Sequence, residues 1–324
     1  METSEQNSLQ NSSETPIKIS IIALAFALVI QGAAPIFMKL SEVEVSPNVI
    51  IFHRAWMAVV CMLIWDGSRV TFFKVRASDD NFSDQEKPAP YSLDTIGWLF
   101  LLSAVFTVSQ VLWAWSLTQT RIASSVLTYG LTPIFATLGE WIFLRKSFNA
   151  KYFLGMTIAI IGLGIVALSD WQFSSEQLQG DAIAMMGTIC FSAYLLITPQ
   201  LRDTWTAKSV FFWRCAMTII LLLPIVFILQ DHILPISTFG WLSLLGLTAT
   251  AFAQLLIIYS LKALSPGFVA ICLLLDPFLA SIVARLIFSE LIGVSTWIAF
   301  LIVSFGVYLC TANTSEKAEL ADSR

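Results

Sequence analysis

Residues 110–140 read QVLWAWSLTQTRIASSVLTYGLTPIFATLGE and residues 254–284 read QLLIIYSLKALSPGFVAICLLLDPFLASIVA, and the two stretches align at a constant offset of 144 residues. Gln110 falls on Gln254, Ser116 and Leu117 on Ser260 and Leu261, Pro133 on Pro277, Ala136 on Ala280 and, further on, Gly162 on Gly306. Apolar residues coincide by chance in a sequence this hydrophobic, but an amide, a proline and a glycine agreeing in register do not. A second match pairs Phe52, Arg54 and Met57 with Phe212, Arg214 and Met217. The chain therefore reads as two related halves.

The composition says what medium those halves occupy. Of the 324 residues, 57% are hydrophobic and 12% charged, whereas soluble domains run at about 45–50% and about 25%. Ten apolar stretches can be marked, at 17–40, 47–65, 95–117, 122–144, 152–168, 181–198, 210–229, 238–261, 268–288 and 294–310. Each is about the length that crosses a hydrocarbon core of roughly 30 Å as a helix, and lipid leaves an open chain no other solution. The expected fold is an all-α integral membrane protein of ten transmembrane helices. Five helices in each half is an odd number, so the second half enters the membrane from the opposite side and the repeats are inverted. The predicted layout is a disordered tail over 1–16, a first five-helix repeat over 17–168, a second over 181–310 and a tail over 313–324.

Little chain remains for a soluble catalytic domain. The segment 1–16 is rich in Ser, Asn, Gln and Glu and has no basic stretch before an apolar one, so it reads as a tail rather than a leader. The net charge of −4 matters less than its distribution. With both termini cytoplasmic, that side holds thirteen basic residues, among them Arg145, Lys146, Lys151, Arg202, Lys208 and Lys262, against Lys39 and Arg121 opposite. The rule that basic loops stay inside then predicts a multi-pass protein of the cytoplasmic membrane with both ends inside.

Catalytic and metal chemistry find no foothold. The five cysteines lie within apolar stretches without short spacing, and His53 and His232 are the two histidines; neither a disulfide framework nor a zinc set follows. No phosphate-cradling G-x-x-x-x-G-K-[ST] loop occurs. The expectation is no enzyme, no cofactor, no metal and no nucleic-acid partner, with any driving energy taken from a gradient.

Several motifs resemble the EamA-type branch of the drug/metabolite transporter superfamily. Gly32, Pro35 and Lys39 form G-x-x-P-x-x-x-K, similar to that family's first-helix W-G-x-x-F-x-x-x-K, with Gln31 where tryptophan is usual. Ala123-Ser124-Ser125, Leu131-Thr132-Pro133 and Gly155 to Gly164 look like its fourth and fifth helices, and Leu275-Asp276-Pro277 followed by Ser289-Glu290 is similar to its L-E-P and G-E patterns. Lys146 stands where the first repeat often has glutamate, and 67–92 is an insertion. The resemblance implies export or exchange of small metabolites, such as amino acids or amphipathic drugs. Nucleosides or phosphorylated sugars are alternative cargoes, and a non-transporting sensor or structural protein is the rival class.

Ionisable and amide groups at membrane depth are the site candidates. Asp276 lies ninth in its stretch, roughly 12 Å deep at about 1.5 Å per residue, and either carries a proton, anchors a substrate amine or pairs with an arginine. Arg54 and Arg214, at equivalent places in the two halves, are read as gates or as bidentate anion ligands, against snorkelling toward headgroups. Gln110, Gln254 and Lys39 complete the polar set, with Tyr129, Trp115 and Tyr259, beside Trp113 and Tyr194, as an aromatic wall. Pro35, Pro133 and Pro277 are the expected hinges. Gly155, Gly162, Gly164, Gly293 and Gly306 suit close helix packing or a homodimer surface. A small-molecule substrate, membrane lipid and a coupled proton are the expected partners.

Overall fold

The computed structural model describes residues 2–32, 46–66, 93–119, 128–169, 177–228, 239–240, 243–244, 246–288 and 297–310. Every regular element among them is helical: α1 Glu2–Gln31, α2 Pro47–Asp66, α3 Leu93–Gln119, α4 Thr132–Phe143, α5 Ala150–Ser169, α6 Gln177–Thr204, α7 Ala207–Ile228, a π-helical stretch Gly246–Ala253 that runs into α8 Gln254–Ser260, then α9 Pro266–Leu273, α10 Asp276–Phe288 and α11 Trp297–Cys310. Four apolar segments, Thr95–Ser116, Leu178–Thr204, Ala207–Ile228 and Pro266–Val283, are long enough to cross a bilayer, and shorter apolar helices accompany them. Large apolar side chains such as Ile64, Trp141, Phe143, Leu178, Ile228 and Leu286 face outward, the reverse of a soluble surface and the expected face toward lipid tails.

The first helix, Glu2–Gln31, takes in residues 2–16, the stretch expected to be a tail. That segment has no glycine, and Glu2 and Glu5 stand at the helix N-terminus, where carboxylates complement the macrodipole.

Backbone breaks sit at matching places in the two halves. Ahead of α4 the chain is helical at 128–129, turns at Gly130 and Leu131, and resumes at Thr132 with Pro133 in the first turn. One offset later, α9 ends at Leu273, turns through Leu274 and Leu275, and α10 opens on Asp276 and Pro277. Proline has no N–H for the carbonyl four residues back, so Pro133 leaves the Tyr129 carbonyl without its helical donor. The Thr132 hydroxyl donates to that carbonyl instead. From α6, Thr188 and Ser192 donate to the Thr128 and Thr132 carbonyls, each at 3.3 Å. The break is thus satisfied by neighbouring hydroxyls, the condition for irregular backbone at membrane depth.

Small residues set the closest helix approaches. A Cβ on Gly155 would stand 2.6 Å from the Gly306 carbonyl oxygen, and one on Gly306 would stand 2.5 Å from that of Gly155. Here α5 and α11 meet backbone to backbone, as the glycine spacing suggested. Gly164 faces open space instead, and Gly293 lies outside the described residues. Gly187 brings α6 against the α3 backbone at Ser109 and Trp113, and Gly246 lets the π-helical stretch lie on α2 beside Arg54.

Candidate functional site

The interior between α2, α3, α6, α7, α8 and α10 holds the charged groups. Arg54 enters from α2, and its Nε donates to Thr250 Oγ1 at 2.9 Å across to the π-helical stretch. Arg214, on α7, is 1% exposed. Its guanidinium carbon lies 4.0 Å from the Phe106 ring centre, 4.9 Å from Phe211 and 5.8 Å from Tyr194. Its Nη1 donates to Tyr194 Oη at 3.4 Å and to Gln254 Oε1 at 3.3 Å. Aromatic faces thus take the place of water around a buried cation.

The two arginines lie close enough to interact with each other. Each stands about two turns in from its own end, so depth alone brings them toward a common middle layer. Tyr129, beside the α4 break, interacts electrostatically with Asp276, Tyr194 and Arg54. Asp276 and Arg54 thus both lie near Tyr129, and Arg54 lies near Arg214, with residues of both halves of the chain involved. Asp276 is half-buried, and two charged-group atoms in this interior have no hydrogen-bond partner among the described residues: Asp276 Oδ1 and Arg214 Nε. A buried polar atom left unpaired is costly, and here one is an acceptor on an acid and the other a donor on a base.

An aromatic ribbon borders the charges. Trp113 meets Tyr129 at 6.5 Å between ring centres, Tyr129 meets Phe191 at 5.1 Å, Phe191 meets Tyr194 at 5.7 Å and Tyr194 meets Phe106 at 4.8 Å. Trp113, Tyr129 and Tyr194 are the predicted wall residues that belong to it. Trp115 and Tyr259 lie elsewhere: Trp115 is 55% exposed, because it sits two residues from Trp113 and a helix turns about 200° over that interval. Tyr259 borders a separate cavity of about 690 Å³ with Ser20, Arg202, Thr206, Lys208 and Lys262. Gln110 is half-buried on α3, whereas its counterpart Gln254 is buried against Arg214. Lys39 and Pro35 fall outside the described residues. His53 is a structural histidine, with Nε2 3.2 Å from Ser243 Oγ and its ring edge-on to Phe239.

Phe106, Phe191 and Thr250 were not singled out from sequence. Nothing distinguishes two ribbon phenylalanines among 24 in the chain, or one threonine of a helix.

Comparison with known proteins resolves the class. The family model described as the EamA-like transporter family matches residues 18–168 and 178–312. The chain belongs to the EamA-like transporter family. It is accordingly a multi-pass helical membrane protein of a transporter family. Two similar proteins of Bacillus subtilis (strain 168) are described as uncharacterized transporters. YwfM is 24% identical over 230 residues, covering 69% of this chain and 77% of its own. YxxF is 24% identical over 169 residues, covering 51% of this chain and 53% of its own. A crystal structure described without a function superposes with a TM-score of 0.75 over 91% of this chain and 98% of that one, at 13% identity. At that identity the likeness speaks for the EamA-like fold alone.

Proposed function

We propose that this EamA-like chain is a secondary transporter that moves small zwitterionic or amphipathic metabolites, amino acids first among them, by alternating access between two inverted five-helix repeats. The observation that carries this reading is the pair of unpartnered atoms, Arg214 Nε and Asp276 Oδ1, in one charged interior. A molecule with a carboxylate and an ammonium group satisfies both at once: the guanidinium N–H donates to the carboxylate, and the ammonium donates to the Asp276 oxygen. The ribbon from Trp113 to Phe106 supports the apolar part of such a solute. Arg54, already held by Thr250, adds positive potential that favours the carboxylate. Gating by Arg54 and Arg214 is then a consequence of their closing on the anion from two halves of the chain.

Asp276 also has a chemistry its counterpart lacks. Thr132, 144 residues earlier, donates to the carbonyl that Pro133 deprives. Pro277 deprives the Leu273 carbonyl in the same way, but an ionised carboxylate is an acceptor and cannot donate to it. Protonated, Asp276 has the hydroxyl that Thr132 has. Proton binding would thus trade a substrate amine for a backbone bond at the helix break, which supports proton coupling with Asp276 as carrier and Pro133 and Pro277 as hinges. No bond is made or broken in the solute, so the chain is not an enzyme on this reading. The termini lie in the cytoplasm, in keeping with the basic loops, and net flux is outward, as the resemblance to metabolite exporters implies.

The test is counterflow: proteoliposomes preloaded with unlabelled amino acids are offered the labelled pool outside. Transient accumulation is expected, and it disappears in Asp276→Asn protein of unchanged elution profile. Failure of the wild type to accumulate any member of the pool removes the amino-acid reading.

A further inference from the structure

At the end of the bundle that carries Arg145, Lys146, Lys151 and Lys262, a carboxylate plays no part in the site above. Glu140, in the last turns of α4, is fully buried. Its Oε2 accepts from the backbone N–H of Gly267 at 2.7 Å, and its Oε1 accepts from Lys146 Nζ at 3.0 Å. The Ser265 hydroxyl, close enough to the carboxylate to favour its charged form, accepts from Phe268 N–H at 3.2 Å as the cap of α9. A side chain of the first half therefore ties off the N-terminus of a helix of the second, where the dipole favours negative charge. The glycine is dictated by the same contact: a Cβ at 267 would stand 2.5 Å from Tyr152 Oη, 2.7 Å from Thr137 Oγ1 and 2.8 Å from Glu140 Oε2. Thr137 and Tyr152 complete this floor, with their hydroxyls 3.1 Å apart.

In the sequence, the 144-residue offset gives this pair of residues no counterpart. Glu140 corresponds to Ala284 and Gly267 to Ala123, so the carboxylate is missing and the glycine's place holds a Cβ; Glu290, the nearest acid in register, corresponds to Lys146. We propose that Glu140 and Gly267 form a one-sided latch, which holds the basic end closed between α4 and α9 and biases the molecule toward conformations open at the opposite end. The latch rests on the alternating-access reading. Exchange of two conformations in an inverted-repeat protein would be close to balanced if both ends closed alike. A charge-assisted bond made at one end tips the balance by its own free energy.

The experiment reads distance rather than flux. Spin labels at Ser147→Cys and Ala263→Cys, with Cys61 and Cys190 replaced by alanine, bracket the latch in protein reconstituted into nanodiscs. Pulsed electron paramagnetic resonance is expected to give a dominant short distance. Glu140→Gln, which keeps the shape and loses the charge, and Gly267→Ala, which keeps the charge and wedges the contact, each shift weight to a longer distance. The expected change in the closed-to-open ratio is about tenfold, the scale of one hydrogen bond to a charged group. Lys146→Gln changes it less, since Lys146 is 48% exposed and exposed pairs contribute little. An unshifted distribution in both Glu140→Gln and Gly267→Ala overturns the latch. Counterflow on the same samples separates the two ideas. Distances that shift in the two variants while the wild type moves no solute keep the latch and remove the transport reading, whereas wild-type transport with unshifted variant distances does the reverse.

Discussion

Arg214→Lys separates a packing role from a binding role for the buried guanidinium. Lysine keeps the charge but not the plane: its compact ammonium cannot lie flat on the Phe106 ring, 4.0 Å from the guanidinium carbon, and cannot present Nε toward a carboxylate beside Nη. A desolvated cation over an aromatic face is worth about 2 kcal/mol. The bonds to Tyr194 at 3.4 Å and Gln254 at 3.3 Å are long, so a re-aimed ammonium forfeits little there. The working figure is thus about 2 kcal/mol, or roughly a 30-fold change in an equilibrium constant. If Nε holds the substrate carboxylate, the lost charge-assisted bond, itself worth about 2 kcal/mol, falls on binding. The half-saturating concentration in proteoliposome uptake rises by about that factor, while the limiting rate per folded molecule changes far less. If Arg214 only packs, the loss falls on stability: the melting temperature drops and half-saturation stays put. An unchanged half-saturating concentration in well-folded Arg214→Lys protein refutes the assignment of Nε to the substrate.

Further outcomes follow from the glycine packing, the loop charges and Asp276. Gly306→Ala places a methyl 2.5 Å from the Gly155 carbonyl oxygen and 2.7 Å from the Ala159 nitrogen, both backbone atoms that cannot rotate away. Thermal denaturation in detergent should show a loss of about 1–3 kcal/mol, typical of overpacking. Gly164→Ala, with nothing within 4 Å of the added carbon, should match or exceed the wild type, since alanine favours a helix by up to about 1 kcal/mol; equal melting curves for the two variants would contradict the α5–α11 contact. For orientation, a cysteine at Ser174 should react with an impermeant maleimide from outside intact cells and one at Ser83 should not; the opposite pattern inverts the topology. Uptake by the wild type should vary with pH, and Asp276→Asn should abolish that dependence along with the uptake, so that a normal pH profile in this variant removes Asp276 as proton carrier.

The all-helical membrane fold was legible because apolar spans announce themselves by length and hydropathy, and the breaks at Leu131 and Leu275 because proline announces itself. The π-helical stretch at Gly246–Ala253 was not legible. It arises where Gly246 lets the backbone close on Arg54 and Met57, a tertiary contact with no local signature. Within the site, the paired arginines and Asp276 stood out as charges in an apolar background. Phe106 and Phe191 did not, because an aromatic that holds a cation looks like one that faces lipid until its neighbour is known. Glu140 lies six positions from Lys146, which holds it, but the Gly267 amide, 127 positions away, lies beyond any spacing rule.

The central claim is that one solute bridges Arg214 and Asp276 by its two opposite charges. Counterflow tests it most directly when the labelled amino acid is compared with two capped forms, one acetylated at the amine and one amidated at the carboxylate. The account predicts that the free amino acid accumulates while each capped form, having lost one partner, does not. Equal accumulation of all three, or of neither the free nor the capped forms, would contradict it.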